Sequence, residues 1–92
     1  MEPAILRYEI LRLHGEHEAS GTSALLADKT MAAELGVGLR DVQQQLLILE
    51  SNGLVKVAKM MGPTYDAQLT PKGMQALEAA QQAAPQQRRI GF

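Results

Sequence analysis

Apolar positions recur along the chain with two periods, one of helices and one of strands, and they divide it into a short series of elements. Pro3 suits the first turn of a helix, and residues 3–14 run without a breaker until Gly15. At 100° per residue, Leu6, Ile10 and Leu13 form one stripe and Ala4, Tyr8 and Leu11 a second on nearly the opposite side, the pattern of a helix with two packing partners. "GEHEASGTS" (15–23) is a polar connection, and "ALL" (24–26) suits one brief strand. Asp28 offers an N-cap oxygen to "KTMAAELG", whose Met31, Ala32 and Leu35 share a face and whose Gly36 can end it in the left-handed conformation. After the link "VG", residues 39–52 predict a third helix, with Val42, Leu46 and Leu49 inward and Gly53 as its stop.

The period then changes. "LVKVAKM" and "TYDAQLT" flank "MGP", and Val55, Val57, Tyr65, Ala67 and Leu69 alternate as in an antiparallel hairpin. Pro71 opens a final helix over 71–84, with Met74, Leu77, Ala80 and Ala84 on a broad face. Pro85 and "QQRRIGF" predict a flexible tail over 85–92, leaving a single domain at 1–84.

Composition agrees with a small helical core. With 46% hydrophobic residues but one Phe, two Tyr and no Trp, the interior is built from Leu, Ile, Val, Met and Ala. A chain of 92 residues has no core to divide between domains. The absence of cysteine excludes disulfides, thiolate metal sites and cysteine nucleophiles. No apolar run approaches the roughly 20 residues of a membrane span, and "MEPAILRYEI" lacks the basic start of a signal peptide, so a cytoplasmic protein without a membrane partner is expected.

Catalytic and metal chemistry find little support. No nucleophile–base pair, Gly-rich phosphate loop or convergent carboxylate pair is recognisable, so neither an enzyme nor a cofactor is expected. "HGEHE" brings together His14, Glu16, His17 and Glu18, but it is not the H-E-x-x-H spacing of zinc-protease helices, and Gly15 would break the helix needed to fix the geometry.

Three stretches carry a resemblance. "MAAELGVG", "VQQQLLILESNGLV" with its L-x-x-L-E-x-x-G-L-V pattern, and "YDAQLTPKGMQAL" resemble the positioning helix, the recognition helix, and the return strand with following helix of winged helix-turn-helix regulators of the MarR-like and ArsR-like kind. The resemblance covers about residues 24–80 and implies a mainly α fold with a small β-wing: a three-helix core, a two-stranded wing and an additional C-terminal helix. It also implies double-stranded DNA as partner. Major-groove contact would fall to Gly38, Leu39, Arg40, Gln43, Gln44 and Leu47, and wing contact to Lys56, Lys59 and the tip from Gly62 to Thr64. Here Leu39 and Leu47 stand where the family commonly has polar or basic residues, and the tip "MMGPT" lacks the arginine often found there.

Charge sharpens the question of what such a helix reads. The net charge is −1, with −2 over residues 1–27, 0 over 28–73 and +1 over 74–92, although non-specific affinity for nucleic acid comes mainly from Lys and Arg. Between Arg40 and Lys56 there is no cation at all. Direct base reading remains open, since Gln pairs bidentately with adenine, Arg with guanine, and an apolar side chain contacts a thymine methyl. The other possibility is that the glutamines are solvated helix formers and that Leu47, Ile48 and Met61, with Met60 and Pro63, cover a protein partner.

Lys56 and Lys59, three apart on a strand, point to opposite faces. Lys29, in the first turn of its helix, lies where a phosphate also meets backbone N–H groups, and Arg88 and Arg89 are either a phosphate-seeking or a solubilising tail. The second apolar stripe of helix 3–14, the Ala-rich helix 71–84 and the weak charge of one reading head together favour a homodimer presenting two recognition helices.

Overall fold

The computed structural model describes residues 1–19, 25–59 and 63–89. The element order is α1 (Pro3–Ala19), β1 (Leu25–Ala27), α2 (Asp28–Leu35), α3 (Leu39–Ser51), β2 (Val55–Lys59), β3 (Tyr65–Leu69) and α4 (Pro71–Arg89). The protein is mainly helical, with a small antiparallel sheet in the order β1-β3-β2. No helix among the described residues is long and apolar enough to cross a membrane.

The hairpin has the expected alternation, and the brief strand expected at 24–26 is present as β1, which joins it. β2 and β3 pair from Val55↔Leu69 to Lys59↔Tyr65, and β1 adds a third strand through Leu26↔Ala67. A two-stranded hairpin would leave the outer row of β3 N–H and C=O groups unpaired, and β1 satisfies it. Leu26, Val55, Ala67 and Leu69 turn inward to meet Leu6, Ile10 and Leu13 of α1, Met31 of α2, Val42, Leu46 and Leu49 of α3, and Leu77 of α4. Each large aliphatic side chain so buried contributes about 1.5–3 kcal/mol.

Helix α1 does not stop at Gly15 but continues to Ala19. The glycine supplies clearance: a Cβ there would lie 2.5 Å from Leu77 Cδ2, so α1 and α4 approach closely at this position. The second stripe of α1 is not a free face either. Leu11 is buried in the core and Tyr8 half-buried against it, which leaves Ala4 and Ile5 exposed.

Glycines at the two other predicted stops behave as expected. Gly36 (φ 67°) and Gly53 (φ 76°) take the left-handed conformation after α2 and α3, which glycine adopts without steric cost. Thr70 then starts α4 by using its hydroxyl twice, accepting from the Gly73 N–H at 2.9 Å and donating to the Gly53 carbonyl at 2.7 Å. A Cβ on Gly73 would sit 2.0 Å from the Leu54 carbonyl oxygen, so α4 begins pressed against the chain that enters β2. Helix α4 runs from Pro71 to Arg89, past the helix end expected at 84.

Candidate nucleic-acid interface

Helix α3 is strongly two-faced. Val42, Gln45, Leu46 and Leu49 are buried, whereas Arg40, Gln44, Leu47, Ile48 and Ser51 are exposed. At 100° per residue Arg40, Gln44, Leu47 and Ser51 fall within one outward arc, with Gln43 and Ile48 at its borders. Part of that surface is apolar: Leu47 retains 39% and Ile48 41% of its accessible area. Ser51 spends its hydroxyl proton on the Ile48 carbonyl at 2.8 Å, so Arg40 and Gln44 are the polar groups that extend freely from the arc.

Gln43 behaves differently from its neighbour. Its Nε2 donates to Asp28 Oδ2 at 2.8 Å and to the Pro63 carbonyl at 2.9 Å, which uses both amide hydrogens. The opposite amide orientation would set Oε1 against two acceptor oxygens, so the arrangement fixes which atom is nitrogen. A bidentate pair with adenine needs one of those hydrogens, and therefore requires breaking this contact.

Asp28 is the centre of that arrangement. The sequence suggests it as the N-cap of α2, but the cap is Ala27 and Asp28 is the first residue of the helix, fully buried. Its Oδ1 accepts from the Lys29 N–H at 2.7 Å, and its Oδ2 accepts from Gln43 Nε2 and from the Tyr65 N–H at 2.8 Å. One carboxylate thus joins the start of α2, the outer border of α3 and the first residue of β3. Nothing in the sequence marks this junction, because an Asp ahead of a helix has an ordinary local role as a cap. A second cross-helix link was equally silent: Arg7 Nη1 donates to Gln45 Oε1 at 2.8 Å, joining α1 to α3.

The remaining candidates divide by position. Leu39 is half-buried against the core, so little of it is available to a groove. Gly38 precedes α3 in an extended conformation, and a Cβ there would lie 3.2 Å from Asp41 Oδ2. That carboxylate already stands beside the positive end of the helix and competes with any phosphate. Lys59 has the strand parity of Val55 and Val57, the side of the sheet that faces the helices, and its Nζ lies 5.4 Å from the centroid of the Tyr65 ring. Lys56 has the opposite parity, beside Gln68 on the outer face. Lys29 is exposed and Thr64 half-buried. Met60, Met61 and Gly62 lie outside the described residues, as do the side chains of Arg88 and Arg89.

In α1 the "HGEHE" segment is helical, not a solvated loop. His14 is buried, with Nδ1 2.9 Å from the Ile10 carbonyl, and Arg12 pairs with Glu9 at 2.6 Å and with Glu16. Burial pushes the His14 pKa below the ordinary histidine range, against the opposing pull of the Ile10 and Ala67 carbonyls. Between α1 and α4 runs a groove of about 520 Å³, lined by Gly15, Met74 and Leu77 and by the charged Arg12, Glu16, Glu18 and Glu78. Comparison with protein-family models, with curated proteins and with solved structures finds no match to this chain.

Proposed function

We propose that the protein is a sequence-specific DNA-binding transcriptional regulator of winged helix-turn-helix type, a repressor that acts as a homodimer by occluding a promoter. The observation that carries this reading is the presentation of α3. One face is locked in the core, while Arg40, Gln44 and Leu47 project outward from its N-terminal half and middle. The tight α2–α3 connection through Gly36 and the hairpin that follows α3 support it, with Lys59 on the helix-facing side of the hairpin. In this reading Arg40 and Gln44 contact base edges, Leu47 meets a thymine methyl, and Lys59 and Lys29 meet phosphates. Few cations per head imply low affinity for one copy, which a two-fold dimer on a symmetric site offsets. Exposed Met1, Ile5 and Leu25, with the Ala-rich face of α4, are the surfaces available for that pairing.

The test is selection from a random DNA duplex pool at low salt, with wild type beside an Arg40→Ala, Gln44→Ala double variant. A two-fold symmetric motif that the variant loses is the expected result, and the absence of any motif sinks the proposal. Leu47 and Ile48 favour a second reading, a protein-interaction module in which they form an apolar partner site. Counterion release makes DNA affinity fall steeply with salt, whereas an apolar contact changes little, so a salt titration separates the two.

A further inference from the structure

We infer that Gln43 does not read bases but, together with Asp28, positions the β2–β3 hairpin against α3, so that the reading head and the hairpin form one rigid unit. The inference rests on the DNA-binding reading above and assigns a division of labour within it. Both Gln43 hydrogens are committed, one to the buried Asp28 carboxylate and one to the Pro63 carbonyl at the end of the connection into β3. Asp28 holds the adjacent hairpin backbone a second time through the Tyr65 N–H. The hairpin is therefore fastened to α2 and α3 at two points two residues apart, Pro63 and Tyr65, by one carboxylate and one amide. Hydrogen bonds to a charged, buried acceptor are stronger than neutral ones and set direction as well as distance. Gln44, one residue on, is exposed and carries no such restraint.

Two adjacent glutamines thus have separable effects. Truncating Gln44 removes a base contact and changes the preferred base at one position of each half-site. Truncating Gln43 loosens the hairpin and weakens binding to every sequence alike, leaving the motif unchanged.

The experiment compares Gln43→Ala, Gln44→Ala and Asp28→Asn with wild type by duplex selection and by backbone hydrogen exchange. For Gln43→Ala we expect the wild-type motif with affinity lower by about tenfold, and exchange at Tyr65 faster by about tenfold with α1 and α4 unchanged. Asp28→Asn keeps the size but turns an NH2 donor toward an N–H that Asp28 accepts, so it should reproduce both effects. If Gln43→Ala shifts the base preference at a single position, or leaves Tyr65 exchange unchanged, the inference is overturned while DNA reading stands. If wild type selects no motif, DNA reading fails, and a role for Gln43 in it fails with it.

Discussion

The Asp28 junction and the α1–α4 seam join parts of one small fold by opposite means. At the junction, α2, α3 and β3 meet through hydrogen bonds that converge on a single buried carboxylate. At the seam, α1 and α4 meet through the missing side chain of Gly15 and the body of Leu77, with His14 buried nearby on α1. Directional polar contacts fix an angle and fail together when the shared atom is removed. Packed apolar contacts fix a distance and adjust when crowded. The candidate DNA surface lies at the polar junction, where orientation matters most.

Substitutions at the two regions should therefore differ in size and in kind. The largest expected effect is from Asp28→Ala, which strands the Tyr65 N–H and the Gln43 amide: a loss of about 3 kcal/mol, read as a lowered urea midpoint. A loss below about 1 kcal/mol would mean that water replaces the carboxylate and that the junction is no stronger than the seam. Gly15→Ala comes next. Crowding against Leu77 costs about 1–3 kcal/mol, but alanine returns about 0.5–1 kcal/mol of helix propensity, so a net loss of about 1 kcal/mol is expected in the same measurement.

Next to the seam, His14 gives the packing of α1 against β3 a pH dependence. Its folded pKa is lowered, by burial first and by His17 to a lesser degree, while the unfolded chain binds the proton near pH 6.5. The stability tied to the neutral ring is thus fully present above about pH 6.5 and is lost as pH falls through the folded pKa, at no more than about 1.4 kcal/mol per pH unit. Thermal midpoints between pH 7 and 5 should fall less steeply in His14→Gln than in wild type; equal slopes would remove His14 as the cause. The smallest effect is expected from Arg12→Ala. Its pairs with Glu9 and Glu16 are partly exposed, so a loss of about 0.5 kcal/mol, shrinking with added salt, is the anticipated result.

The same contrast explains what the sequence revealed. The inward face of α3, Val42, Leu46 and Leu49, follows from helical period, and the hairpin follows from alternation, because both express burial along one element. Left-handed stops at Gly36 and Gly53 follow from local sterics. Gly15 looks the same in sequence and suggests a stop, yet its role comes from a leucine 62 positions away. Gln43 and Gln44 carry the same letter, and only the approach of Asp28 and Pro63 distinguishes them. The opposite faces of Lys56 and Lys59 were legible from strand period; which one shares the helix side needed the burial of Val55.

The Thr70 hydroxyl has a consequence for the order of assembly. It links Gly53, at the end of α3, to the first turn of α4 across 17 residues, and the β2–β3 hairpin is the segment between. A helix is hardest to start at its first turn, and here that turn borrows its anchor from a chain segment brought close only when the two strands have zipped together. The last helix is therefore expected to nucleate on a completed hairpin, so that during refolding its appearance should report strand pairing.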